Sequence, residues 1–236
     1  MRFFLFLSDI VRQLSRMSLL DSFFSPSQTS LKVCGITSAE AGAMLVEEGV
    51  PAVGINFWPK SKRYCAPDLA RQFAPSLQGQ ILRVGVFVNA REQEVLDCYE
   101  ANLIDVAQFH GDESNEYLSA FSRHSLPFIK AIGVSQPDDL NDLDQFHTPY
   151  LLLDAHAPGV YGGTGESIDW HLAASVVQTH PQYSIMLAGG IKPENAAEAA
   201  SIVSPCALDT ASGSESAPGI KDRAKVQLLM NALNLV

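Results

Sequence analysis

Cys34 is the first side chain in this sequence that is placed to do chemistry. Residues 31–33 read as a short strand, Gly35 interrupts it, and Thr37 or Ser38 can cap a helix beginning at Ala39. The thiol therefore stands at the C-terminal end of a strand, just before a turn. Asp154 closes another apolar run, 150–153, and its carboxyl can act as an acid to the thiol's base. Arg63 ends the polar turn Pro59-Lys60-Ser61-Lys62-Arg63, and a guanidinium there can clamp a carboxylate with two parallel hydrogen bonds. Three glycine clusters complete the set: Gly162-Gly163-Thr164-Gly165, Ala188-Gly189-Gly190 and Asp209-Thr210-Ala211-Ser212-Gly213. Without a Cβ the backbone approaches an anion closely, and successive N–H groups make a phosphate cradle. Together these groups suit an enzyme that moves a proton within a phosphorylated small molecule without a redox cofactor.

Each group also has an ordinary explanation. A free cysteine is often inert core filler, an aspartate after a strand can cap a helix, an arginine can decorate a loop, and glycines can simply make turns. What favours chemistry is where the surrounding elements would bring these residues. Strands at 31–34, 52–56, 82–88, 104–109, 128–132, 150–153, 184–187 and 206–208 alternate with helices at 39–48, 67–75, 92–101, 113–122, 137–145, 169–179, 193–203 and 219–234. The strands are continuous apolar runs, as parallel strands buried on both faces should be. Eight such units over about 205 residues predict a single (β/α)8 TIM barrel, in preference to an open doubly wound sheet. In that fold the strand C-termini form the functional rim, and every group named above falls there.

Composition narrows the partners. Of 236 residues, 47% are apolar and 18% charged, and the net charge of −10 disfavours nucleic acid and anionic membrane surfaces. The four cysteines, Cys34, Cys65, Cys98 and Cys206, lack CxxC spacing, so neither a zinc site nor a disulfide framework is expected, and a reducing cytoplasm is the natural setting. Residues 1–30 form an extension. Ile10, Val11, Leu14, Met17, Leu20, Phe23 and Phe24 fall near helical spacing and predict an amphipathic helix, followed by the linker Ser25-Pro26-Ser27-Gln28-Thr29-Ser30. Either it packs on the domain or translation begins at Met17. Asp9 and Asp21 count against an organelle-targeting peptide.

The ordered motifs Lys32-Val33-Cys34-Gly35-Ile36-Thr37, Phe57-Trp58-Pro59-Lys60-Ser61-Lys62-Arg63-Tyr64, Gln108-Phe109-His110-Gly111, Leu152-Leu153-Asp154, Gly162-Gly163-Thr164-Gly165 with Asp169-Trp170, Leu187-Ala188-Gly189-Gly190, and Asp209-Thr210-Ala211-Ser212-Gly213 resemble those of the phosphoribosylanthranilate isomerases over residues 31–234. The resemblance implies an Amadori rearrangement of N-(5-phosphoribosyl)anthranilate to 1-(2-carboxyphenylamino)-1-deoxyribulose 5-phosphate, in tryptophan biosynthesis. It implies Asp154 as general acid at the ribose ring oxygen, Cys34 as general base at C2′ and Arg63 on the anthranilate carboxylate. It further implies Gly163, Gly189, Gly190, Ser212 and Gly213 at the phosphate, and Asp209 near the sugar hydroxyls. No metal or organic cofactor is implied, and the chain would act as a monomer or homodimer. Glu166, Ile168, Ser214 and Phe109 depart from the family's usual residues, none at the acid, base or clamp. A related sugar-phosphate enzyme, a histidine-pathway isomerase or a pentose-phosphate epimerase, would share the phosphate loops, but the isomerase would pair aspartates at strands 1 and 6, and Cys34 argues against it. A non-catalytic ligand sensor would have lost Cys34, Asp154 or Arg63.

Overall fold

The computed structural model describes residues 16–24, 28–141, 143–155 and 168–235. Eight strands close into a parallel barrel in sequence order: β1 (Ser30–Cys34), β2 (Ala52–Asn56), β3 (Leu82–Phe87), β4 (Val106–Phe109), β5 (Phe128–Val134), β6 (Tyr150–Ala155), β7 (Ser184–Leu187) and β8 (Ala207–Thr210), with β8 returning to pair with β1. The outer layer holds α2 (Ala39–Glu47), α3 (Pro67–Ala70), α4 (Glu92–Glu100), α5 (Asn115–Arg123), α6 (Trp170–Thr179), α7 (Ala196–Val203) and α8 (Arg223–Ala232). Strand alternation sorts the buried apolar residues into two cores. Ala52, Leu82, Val84, Val106, Ile129, Leu152, Met186 and Ala207 fill the barrel interior. Leu31, Val33, Val53, Ile55, Phe109, Leu151 and Leu153 face the surrounding helices.

Local chemistry sets the helix ends. Ser38, rather than Thr37, caps α2 by accepting from the Ala41 N–H, while the Thr37 hydroxyl donates to the Gly219 carbonyl. α5 starts at Asn115 behind a Ser114 cap because the expected first-turn residue, Glu113, spends its carboxylate on the Asn89 and Gly111 amides and on Lys130. Asp169 caps α6 and Asp222 caps α8.

The helix expected from 193 begins at Ala196, and three others differ more. The helix expected over 67–75 is only the single turn α3 followed by a 3-10 turn, Ala74–Leu77, because Pro75 can neither donate to nor clear the carbonyl four residues earlier. The helix expected over 137–145 is a pair of 3-10 turns, Pro137–Leu140 and Leu143–Phe146, separated by Asn141 in extended backbone. The last helix begins at Arg223, not 219, since Glu215–Ala217 (β9) and Ile220–Lys221 (β10) pair as an antiparallel hairpin.

Of the amphipathic helix expected at 10–24, the part at 10–15 lies outside the described residues. Residues 16–23 are helical and form α1. Leu20, Phe23 and Phe24 join the interior core, and the Phe24 ring stacks on Tyr150 at the start of β6 with centroids 4.1 Å apart. α1 therefore closes the barrel at the N-terminal ends of the strands. The chain past α8 is fastened at the same end, where the Gln28 amide donates to the carbonyls of Leu233 and Asn234 at 3.1 and 2.8 Å.

Candidate active site

At the opposite end the strand C-termini open into one cleft lined by Cys34, Arg63, Asp154, Gly189, Gly190, Asp209 and Ser212, together with Gln108 and His110. Residues predicted from five separate stretches of sequence thus converge. Gly213 lies in an adjoining hollow shared with Gly190 and Ser212, where Lys192 and Lys225 stand at the edge. Gly163, and with it Glu166, lies outside the described residues.

Cys34 ends β1 beside Gly54 of β2, its register partner. A Cβ on residue 54 would stand 2.6 Å from the Cys34 sulfur, so the missing side chain is the space that the sulfur occupies. Burial pushes the thiol above its ordinary range, against the pull of Lys32 and Lys221. Lys32, two residues earlier on the same inward face, is fully buried, and its ammonium lies 2.9 Å from Asp209, its register partner on β8. Burial works against this charge, but Asp209 and Cys34 outweigh it and hold the amine above the usual lysine range. Asp209, placed by sequence near the sugar hydroxyls, thus already has one oxygen engaged.

Asp154 sits three strands from Cys34, counting through β7 and β8. Its Oδ1 accepts from the Ala155 N–H at 2.9 Å, and its Oδ2 lies 3.2 Å from His110 Nε2. His110 Nδ1 in turn lies 3.1 Å from the Gln108 amide nitrogen. The Gln108 Oε1 is buried without a hydrogen-bond partner.

Arg63 is not a loose loop residue. Its side chain is only 13% exposed, and Glu215 receives Nε at 2.8 Å and Nη2 at 2.7 Å, a side-on pair that leaves the other edge of the guanidinium for a ligand. Glu215 also receives Lys221 at 2.8 Å. Burial works against the Glu215 charge, but these two cations overcome it and hold the carboxyl below its usual range.

The glycine loops pack on each other. A Cβ at Gly213 would fall 2.1 Å from the Ile191 carbonyl oxygen, so only glycine lets the turn after β8 lie against the turn after β7. Thr210 reinforces the contact by donating to the same carbonyl at 2.7 Å. Of the departures from the family pattern, Ile168 and Phe109 are core residues. Ser214 is fully buried and donates to the Ala211 carbonyl at 2.8 Å.

Sequence reading assigned no role to five polar residues here. Lys32 was visible as a charge inside an apolar strand, and Gln108 and His110 as inward neighbours at a strand end. Glu215 and Lys221 were passed over because the expected last helix was begun at 219, although Pro218-Gly219 between them is a turn signal.

Fold and cleft define the class: a (β/α)8-barrel protein whose reactive groups gather at the C-terminal rim. Residues 31–232 match the family described as N-(5′-phosphoribosyl)anthranilate (PRA) isomerase. The chain is 40% identical over 199 residues to the N-(5′-phosphoribosyl)anthranilate isomerase of Geotalea uraniireducens, covering 84% of this chain and 95% of that protein. The solved phosphoribosyl anthranilate isomerase of Thermotoga maritima superposes with a TM-score of 0.79 at 34% identity, covering 88% of this chain and all of that one. A structure of the isomerase in complex with reduced 1-(o-carboxyphenylamino)-1-deoxyribulose 5-phosphate superposes with a TM-score of 0.76 at 33% identity, over 88% of this chain and 100% of that chain. The chain belongs to the phosphoribosylanthranilate isomerase family.

Proposed function

We propose that the rim cleft carries out the family's reaction on N-(5-phosphoribosyl)anthranilate, with Asp154 as general acid and Cys34 as general base. The observation that supports this most is the convergence of thiol, carboxyl, guanidinium and glycine loops on one cleft. Asp154 protonates the ribose ring oxygen, the ring opens to a Schiff base, and Cys34 removes the C2′ proton. The resulting enolamine tautomerises to the ketone, completing an Amadori rearrangement within tryptophan biosynthesis. Arg63, held on one edge by Glu215, offers its free edge to the anthranilate carboxylate. The backbone at Gly163, Gly189, Gly190, Ser212 and Gly213 takes the phosphate, and Asp209 faces the sugar hydroxyls.

The neighbours suit these roles. With the Gln108 amide turned so that Oε1 accepts from His110 Nδ1–H, His110 Nε2 is bare and accepts from a protonated Asp154, the loaded state of the acid. After turnover the proton sits on Cys34 and is missing from Asp154, so a return transfer closes the cycle. The four cysteines are free thiols, which fits a reducing cytoplasm. No helix among the described residues is long and apolar enough to cross a membrane. The ligand is a phosphorylated small molecule, and the working unit is a monomer or homodimer.

The test is the decay of anthranilate fluorescence as freshly generated substrate is consumed. Wild type should be fast, and Cys34→Ala and Asp154→Ala should each lose about 10²–10⁴-fold or more in kcat. A wild type no faster than buffer would overturn the assignment. Activity surviving in Cys34→Ala would keep the reaction and remove the base.

A further inference from the structure

The β9–β10 hairpin carries a lysine with no place in the scheme above. The Lys221 side chain is completely buried, a rare condition for lysine unless its charge is matched. Its ammonium donates to the Cys34 carbonyl, to Glu215 Oε1 at 2.8 Å, to Ser214 Oγ at 3.4 Å and to the Ala211 carbonyl at 3.5 Å. It ties the hairpin, the turn after β8 and the end of β1 into one cluster.

The charges in that cluster do not cancel. The groups coupled to Cys34 are Lys32 on its own strand, Asp209 on β8, Lys221 on the hairpin and Arg63 on the loop after β2, with Glu215 binding the last two. Lys32 is matched by Asp209, and Arg63 takes Glu215 through three short contacts. Three cations thus share two carboxylates. Excess charge under a protein surface is costly, and the group placed to balance it is the Cys34 sulfur.

We propose that Lys221 is a positioning residue for Cys34: its hydrogen bond to the Cys34 carbonyl fixes the end of β1, and its incompletely neutralised charge favours the thiolate form of the sulfur against the burial that opposes it. The thiolate is the form that can accept the C2′ proton, so the proposal rests on the assignment of Cys34 as base. Burial holds the Lys221 amine below its usual range, and Glu215 and a Cys34 thiolate offset that in part. Sulfur and amine thus support each other's charged forms. Without Lys221, the thiolate would rely on a Lys32 already committed to Asp209.

The experiment reads the sulfur directly. Alkylation of the intact protein by iodoacetamide is followed against pH, with the Cys34 peptide quantified by mass spectrometry separately from those of Cys65, Cys98 and Cys206. Lys221→Met should raise the Cys34 midpoint by about one pH unit or more, and Lys221→Arg should leave it near wild type. In the fluorescence assay Lys221→Met should lower kcat at neutral pH more than it raises KM, with partial recovery as pH rises. An unchanged Cys34 midpoint in folded Lys221→Met would overturn the proposal, leaving Lys221 a structural tie. If that variant does not fold, Glu215→Gln removes a carboxylate and should lower the midpoint, and a midpoint unchanged or raised would overturn the proposal equally. Full activity in Cys34→Ala would instead refute the base assignment while leaving the titration result standing.

Discussion

Gly35 shows how closely the proposed base and clamp constrain the backbone between them. Its φ is +88°, and a Cβ there would lie 2.4 Å from Arg63 Cδ. Gly35→Ala therefore strains the turn after Cys34 and displaces the guanidinium together. Because displacements of about 1 Å can cost up to ~10²-fold, kcat/KM should fall by about 10- to 100-fold, seen mainly in KM if Arg63 holds the substrate carboxylate. Unchanged kinetics in a folded Gly35→Ala would mean that Arg63 does not need this seat. Arg63→Lys should behave similarly, since an ammonium cannot hold Glu215 side-on and present a second edge. At this scale the sequence was most informative about groups at strand ends, where position alone implies exposure to the cleft: Cys34, Arg63, Asp154, Gly189, Gly190 and Ser212 all line it. It was silent on pairing. Neither the grip of Glu215 on Arg63 nor that of Lys32 on Asp209 follows from spacing, because the partners are far apart in the chain and meet only when the barrel closes.

The elements bearing these residues differ in how they are held. β1, β6 and β8 are locked by neighbours on both sides, whereas β9 and β10 pair only with each other and are fixed to the barrel by side chains, chiefly Glu215, Lys221 and Lys225, whose ammonium donates to the Glu215 carbonyl at 2.6 Å. That makes the hairpin's stability pH-dependent. Glu215 titrates below its ordinary value of 4.5 when folded, so its contribution is present above that pH and is lost as pH falls through the folded value. Wild type and Glu215→Gln should differ in Tm near neutrality, and the gap should close as pH falls below the ordinary glutamate range. A gap that stays constant with pH would show that the two cations do not stabilise the ionised form. Strands were easier to read than helices because a continuous apolar run survives any surroundings. The 67–75 and 137–145 segments carry helical composition, but Pro75 and the extended Asn141 break them, and a two-strand hairpin of mixed polar residues has no periodicity to find.

Across the whole molecule, chemistry and closure occupy opposite ends of the barrel. Phe23 is 2% exposed and packs into the interior core from below. Phe23→Ala should cost about 3 kcal/mol and lower Tm by roughly 6–12 °C, with kcat unaffected because the cleft is at the far end. A loss of kcat at a temperature where the variant is folded would show that the two ends communicate. The alternation of eight strands made the closed barrel legible from sequence. The destination of the extension was not, since an amphipathic stripe at Leu20, Phe23 and Phe24 says that a helix needs an apolar surface and not which one.

The position of α1 has a practical consequence for assembly. Residue 16 of α1 and Leu235 beyond α8 both lie on the side away from the mouth, with the Gln28 amide pinning Leu233 and Asn234 just before the latter. A partner seated against that closed end, a support or a second enzyme, would leave the doorway clear. The same arrangement gives such a neighbour no private passage: whatever it released would have to diffuse around the outside of the barrel to reach the entrance.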